Sequence, residues 1–146
     1  VLGEPQEITA SMTPAPSGVD AQCAVTFHYD NGCIAQLFSS FTTNLPTEAH
    51  FSGTTGRVRL CTRFYEPSST RFEYYPGRMD SVEIIPFEHP AGWGYHHEIR
   101  HVNECLLEGK TESPVMCLDD TLQLMRILDT IRAMPLQMEI CPGASK

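Results

Sequence analysis

The stretch GYHHEIRHVNECLLEGKTESP, Gly94 to Pro114, is where the spacing of apolar residues changes from every second position to that of a helix. Tyr95, Ile99, Val102 and Leu106 fall on one stripe, and Gly109 stands where a left-handed residue ends a helix. The stripe is expected to be the buried side. His97 and His101 then point nearly the opposite way, together with Glu104 and Glu108.

Upstream, from Gln6 to Glu88, the chain alternates and is rich in β-branched and aromatic residues. It reads as strands near 6–12, 20–30, 33–43, 47–52, 57–64, 70–75 and 81–87. Pro14–Gly18, Asn31-Gly32, Gly53–Gly56, Glu66–Ser69 and Pro76-Gly77 are the turns between them. Such spacing favours an antiparallel meander over parallel β–α–β units. Downstream, a second helix follows Pro114, with Asp119 and Asp120 in its first turn, and stops before Pro135. Its apolar residues Leu118, Leu122, Leu124, Met125, Ile127, Leu128 and Ile131 wrap most of its circumference, so packing on two sides is expected. Strands followed by helices define an α+β fold class, and residues 1–146 are read as a single domain.

Ten basic residues against eighteen acidic give a formal charge of −8, which repels phosphate backbones and anionic lipid. Nucleic acid and membrane are therefore not expected partners. No apolar run approaches the roughly 18 residues of a membrane helix. The chain starts at Val1 without a signal peptide and reads as a piece of something longer. Its six cysteines (Cys23, Cys33, Cys61, Cys105, Cys117 and Cys141) form no CxxC pair, so free thiols and a cytoplasmic setting are expected. Asn31-Gly32 signals a two-residue hairpin loop, which sets Asp30 against Cys33 and Cys23 against Ser40. Cys23 and Cys33 then lie on the order of 20 Å apart, beyond disulfide reach.

His97-Glu98-Ile99-Arg100-His101 is an H-E-x-x-H sequence, the pattern of zinc peptidases. A third protein ligand is not found downstream, since Glu112 falls in a loop before Pro114, and the Arg100 cation opposes a dication nearby. No metal is expected. Gly92-Trp93-Gly94 lacks the third glycine of a dinucleotide turn and follows a proline-rich segment. His28 and His50 read as ordinary strand histidines.

Gly94 to Pro114 as a whole, G-Y-x-x-E-x-x-H-V-x-x-C-L-x-x-G-K-x-E-S-P, resembles the C-terminal domain of the glucose-fructose oxidoreductase and inositol dehydrogenase family (Gfo/Idh/MocA), particularly its dihydrodiol dehydrogenase branch. Ser17–Asp20, Ser52–Gly56 before Arg57–Leu60, and Leu128–Arg132 resemble that family in the same order. The resemblance implies an open, mostly antiparallel sheet with two C-terminal helices on one face. It also implies a parent enzyme with an N-terminal Rossmann domain for NAD or NADP, which oxidises a hydroxyl of a sugar, cyclitol or dihydrodiol. The Rossmann domain, the catalytic lysine and the proton-transfer helix are not among these residues, so this chain is expected to bind no cofactor and to supply no catalytic residue. Trp93 and Tyr95, at the entry to the helix, match positions where relatives bring an aromatic ring toward substrate. A stand-alone interaction module and a small zinc peptidase are the alternative readings.

The two-residue hairpin would gather Cys23, Val25, Phe27, Tyr29, Ile34 and Phe38 beneath the helices. The opposite face would hold Ala24, Thr26, His28, Ala35, Leu37, Ser39 and Phe41. That second set is intermediate in polarity, as subunit interfaces are. A homodimer through Thr26, His28, Ala35, Leu37, Ser39 and Phe41 is the expectation, and the resemblance points to the same surface.

Overall fold

A computed structural model describes residues 2–66, 70–77, 81–86 and 94–136. Among these residues the elements are α+β: seven strands, all antiparallel in their pairings, and two helices. They fall into two compact units, one of residues 1–45 and 114–146 and the other of residues 46–113.

The first unit holds β1 (Glu7–Pro14), β2 (Asp20–His28) and β3 (Ile34–Ser40) in that order, with the second helix (Leu118–Arg132, α2 below) against β1. β1 and β2 pair from Glu7 opposite His28 to Thr13 opposite Gln22, with a register shift at Thr13/Pro14. Met12 and Val25 are buried at 4% and 8% exposure. Both lie on the side of the sheet that lines a groove with Leu124, Ile127, Leu128 and Ile131 of α2. Those four residues sit at i, i+3, i+4 and i+7, a single helical stripe. Ile127 and Ile131 are the half-buried members of this stripe, whereas Leu118, Leu122, Leu124, Met125 and Leu128 are exposed, so the two-sided packing read from its circumference is not found among the described residues. The helix starts cleanly, because the Asp120 carboxylate accepts the Cys117 N–H at 3.2 Å and its thiol at 3.1 Å.

The β2–β3 hairpin departs from the sequence reading. Tyr29 N–H donates to Cys33 O at 3.1 Å and Gly32 N–H to Tyr29 O at 3.0 Å, so the loop contains three residues, Asp30, Asn31 and Gly32. Gly32 adopts φ 78°, the left-handed residue that closes a three-residue hairpin loop. The extra loop residue moves the register by one: Val25 faces Leu37 and Cys23 faces Ser39. Because side chains alternate, that shift exchanges the faces of β3. By alternation Ala35, Leu37 and Ser39 share the side of Val25, and Ile34, Gln36, Phe38 and Ser40 the side of Thr26 and His28, with Phe38 also lining part of the groove. The interface set Thr26, His28, Ala35, Leu37, Ser39 and Phe41 is thus divided between two faces, and Phe41 follows the end of β3 as an exposed residue.

The second unit holds β4 (Ala49–Ser52), β5 (Gly56–Leu60), β6 (Phe72–Pro76) and β7 (Glu83–Ile85), paired in chain order, and α1 (Tyr95–Leu107). The C-terminus of α1 is closed as expected. Gly109 has φ 71°, its N–H donates to Leu106 O at 3.0 Å, and Lys110 N–H donates to Cys105 O at 2.9 Å. Its buried side is the reverse of the one expected. Tyr95, Ile99, Val102 and Leu106 are exposed, whereas Cys105 is buried at 8% exposure and His101 half-buried.

Gly32→Val should cost roughly 1–2 kcal/mol, the strain of a left-handed β-branched residue, and Gly32→Asn much less. Urea unfolding of both variants measures this; equal midpoints would show that the loop is not held by a left-handed residue at 32.

Candidate functional site

Tyr95 is the first residue of α1, behind Gly94 in the left-handed conformation (φ 84°), and its side chain is 69% exposed. Trp93 lies outside the described residues. The aromatic entry to the helix therefore presents at least one free phenol at a helix start. The neighbouring His96 and His97 rings lie 4.0 Å apart between centroids.

One turn further, the motif closes on itself. His101 Nε2 lies 2.7 Å from Ser113 Oγ, and Cys105 Sγ lies 3.6 Å from the same nitrogen. The histidine, cysteine and serine of the H-x-x-x-C…E-S-P pattern thus form one polar cluster tying the loop before Pro114 back onto α1. This cluster turns His101 and Cys105 inward and leaves the apolar stripe outside. His101 Nε2 is engaged in the cluster, and no group of three His, Cys, Asp or Glu side chains suited to a metal occurs among the described residues. The H-E-x-x-H pattern has a structural role here in its second histidine.

The sheet of the second unit carries a charged face that the sequence reading missed. Residues two apart in a strand share a face, so Arg57 and Arg59 of β5 meet Glu73 and Tyr75 of β6, with Arg71 beyond and Glu48 before β4. Arg59 holds Glu48 through two hydrogen bonds of 2.6 and 2.9 Å and reaches Glu73 at 3.3 Å. Glu73, only 5% exposed, also accepts from Tyr75 Oη at 2.8 Å and from Arg71 Nε at 3.1 Å. The Tyr75 hydroxyl, then the Arg71 guanidinium, hold the Glu73 carboxyl down at about 2. Arg59 in turn lowers Glu48 and is itself raised by it. Arg57 lies over the Tyr75 ring, 4.1 Å from its centroid. With its carboxylates ionised and its guanidiniums charged, this face has the character of a fixed charged surface and not of an acid–base pair. The signal that would have found it is the alternation R-x-R in β5 and R-x-E-x-Y into β6.

The groove of the first unit, of about 690 Å³, is walled by Met12, Val25, Phe27, Leu37, Leu128 and Ile131. Its size falls in the range of small-ligand pockets and its wall is apolar. Asp20 and Arg132 are the charged residues on its lining.

A nicotinamide dinucleotide finds no cradle among these elements. The described strands pair only antiparallel, and neither helix begins at a glycine-rich turn leaving a parallel strand. No helix among the described residues is long and apolar enough to cross a membrane.

Residues 1–59 match the family model of the GFO/IDH/MocA C-terminal domain. The resemblance to the C-terminal domain of Gfo/Idh/MocA proteins read from the sequence is borne out by this match. Among curated relatives, it is similar to trans-1,2-dihydrobenzene-1,2-diol dehydrogenase of Xenopus tropicalis, 29% identical over 126 residues, covering 86% of this chain and 38% of the relative. The Homo sapiens enzyme of the same name is 30% identical over 135 residues, covering 88% of this chain and 39% of its own length. The chain thus spans about two fifths of the relatives it matches. Among solved structures, the fold is shared with aldose-aldose oxidoreductase from Caulobacter crescentus in complex with glycerol, with a TM-score of 0.73 and 19% identity over 88% of this chain and 38% of that one. It is shared too with the 3-ketoreductase KijD10 from Actinomadura kijaniata in complex with NADP and TDP-benzene, with a TM-score of 0.69 and 22% identity over 86% and 38%.

The Glu73 pKa makes stability depend on pH. Because it falls from an ordinary 4.5 to about 2 on folding, its stabilisation is complete above pH 4.5 and is lost as pH falls through about 2. Glu73→Gln should lower stability at neutral pH and flatten the stability profile between those two values. Denaturant titrations from pH 7 to 2 measure it, and parallel profiles for the two proteins would contradict the network.

Proposed function

We propose that this chain is the substrate-side and assembly domain of an NAD(P)-dependent oxidoreductase whose cofactor-binding domain belongs to the longer protein. The reaction is oxidation of a hydroxyl of a dihydrodiol, sugar or cyclitol to a carbonyl, or its reverse. The observation that carries the reading is the alignment of dihydrodiol dehydrogenases with 86–88% of this chain, on a fold shared with an aldose-aldose oxidoreductase and a 3-ketoreductase. That reaction would take a hydride from the carbinol carbon and a proton from its oxygen, and a nicotinamide held by the longer protein would supply the hydride acceptor.

The part left to this chain is to orient the substrate. Tyr95 suits it, being an exposed ring with a hydroxyl at a helix entry, able to stack on a ring substrate and to donate to an oxygen. Trp93 is its companion in this reading. Assembly is the second role: the chain forms a homodimer through the β1–β2–β3 sheet. Supporting this are the apolar residues left exposed there, Ile34, Leu37 and Phe38. The five described cysteines are free thiols, which supports a cytoplasmic setting.

The test uses the longer protein. It should reduce NAD+ or NADP+ with trans-1,2-dihydrobenzene-1,2-diol, an aldose or a cyclitol, and Tyr95→Ala should raise KM roughly tenfold, the ~1.4 kcal/mol of one lost hydrogen bond. Absence of turnover with every substrate and both cofactors would overturn the reading; an unchanged KM in Tyr95→Ala would remove Tyr95 from it.

A further inference from the structure

We propose that the groove between the β1–β2–β3 sheet and α2 is a binding site for a neutral hydroxylated hydrocarbon, an apolar ring or chain that carries two neighbouring hydroxyls. The site is independent of Tyr95 and of the oxidoreductase reading, since its lining belongs to the first unit.

A volume of about 690 Å³ stands between strands and helix, and the described side chains do not fill it. Leu37, Leu124 and Leu128 line it and still keep 54%, 47% and 44% exposure, while Met12 and Val25, also on the lining, are buried. Water makes few hydrogen bonds to such a wall. A hydrocarbon of matching size gains free energy by leaving water for it.

The charges narrow the class of ligand. Among the described residues the lining carries one carboxylate, Asp20, and one guanidinium, Arg132, and neither side chain has a hydrogen bond or ion pair there. Burial, then the Asp20 charge, pushes the Cys23 thiol up, so the sulfur on this wall is held as an uncharged S–H. The groove therefore has no net charge. An anion drawn to Arg132 is opposed by Asp20, and a cation drawn to Asp20 is opposed by Arg132. A zwitterion would give up two hydration shells against an apolar wall. A neutral ligand avoids all three costs.

Hydrogen-bond chemistry then selects the polar group. A carboxylate only accepts and a guanidinium only donates, so one group that satisfies both must donate and accept. A hydroxyl does so. Two hydroxyls on adjacent carbons can donate to the two oxygens of Asp20 and keep lone pairs for Arg132. Asp20 is close enough to Cys23 to act on it, and Cys23 faces Ser39 across the ladder. Carboxylate, thiol and hydroxyl thus gather toward the start of β2, and Val25 and Phe27 line its later half. A molecule with a polar end and a hydrocarbon body matches that order.

Proton–nitrogen NMR spectra of the full chain read the site, with trans-1,2-cyclohexanediol, cyclohexanecarboxylate and cyclohexylamine as probes that share a ring and differ in charge. The diol should shift the amides of Asp20, Cys23, Val25, Phe27 and Leu128 along one saturable curve with a Kd of roughly 1 mM, the range open to so small a molecule. The carboxylate and the amine should bind about tenfold more weakly or worse. Asp20→Asn should weaken the diol roughly tenfold, as loss of a charge-assisted hydrogen bond does, and should strengthen the carboxylate. Arg132→Met, at an exposed position, reads the same balance from the other side if Asp20→Asn does not fold: the diol should weaken and the amine strengthen. No saturable shift with the diol up to about 20 mM, or a carboxylate that binds the wild-type chain as tightly as the diol, overturns the proposal. Diol affinity unchanged in both variants overturns the ligand class. Diol binding that appears only when the chain is ended at Leu136 would give the groove to residues 137–146, and shifts at these amides that follow protein concentration and not the diol would give it to a second copy; either overturns the proposal.

Discussion

The three-residue loop closed by Gly32 decides more of this molecule than any other local feature. Its left-handed residue adds one position to the turn, and the β2–β3 register then sets Val25 against Leu37. Everything on the two faces of the first unit follows from that pairing, because each strand residue belongs to one face only. Leu37 becomes part of the apolar wall facing α2, and Ile34 and Phe38 move to the side of Thr26 and His28. With a two-residue loop the same sequence would bury Phe38 and Ile34 and leave Leu37 in the open.

The second unit relies on polar geometry to a degree that its composition hides. Cys105 is its one buried apolar residue among the described residues, whereas Glu66, Thr70 and Glu73 are buried polar ones. A buried carboxylate is tolerable only when its oxygens are occupied, and Glu73 has Tyr75, Arg71 and Arg59 around it. Likewise the His101–Ser113 contact determines which side of α1 turns inward. These ties hold shape where little hydrophobic core is present. They also leave Tyr95, Ile99, Val102 and Leu106 as an exposed apolar stripe.

Strand positions were legible because alternation and turn residues are local signals. The strand read near 20–30 is β2 at Asp20–His28, and that near 70–75 is β6 at Phe72–Pro76. Helix ends were legible too: Gly109 ends α1 in the conformation its type suggests, and α2 stops before Pro135. Register was not, since Asn-Gly fits a two-residue or a three-residue loop and only the hydrogen bond from Tyr29 distinguishes them. The buried face of α1 was not, because a hydrophobic stripe is assumed to face inward while a histidine bonded to a serine twelve residues away overrides it. The charged sheet face was visible only once the pairing of β5 with β6 brought Arg59 opposite Glu73. Tyr95 was named from family resemblance, and the structure places it exposed at the helix entry.

The register of β2 and β3 can be read directly from NMR. Short Hα–Hα contacts arise at pairs that do not exchange backbone hydrogen bonds, which here are Ala24 with Phe38, Thr26 with Gln36 and His28 with Ile34. Nuclear Overhauser effects between those three pairs are the predicted result. Effects joining Val25 to Phe38 and Phe27 to Gln36 instead would mean a two-residue loop, returning Leu37 to the open face and removing the groove wall built on it.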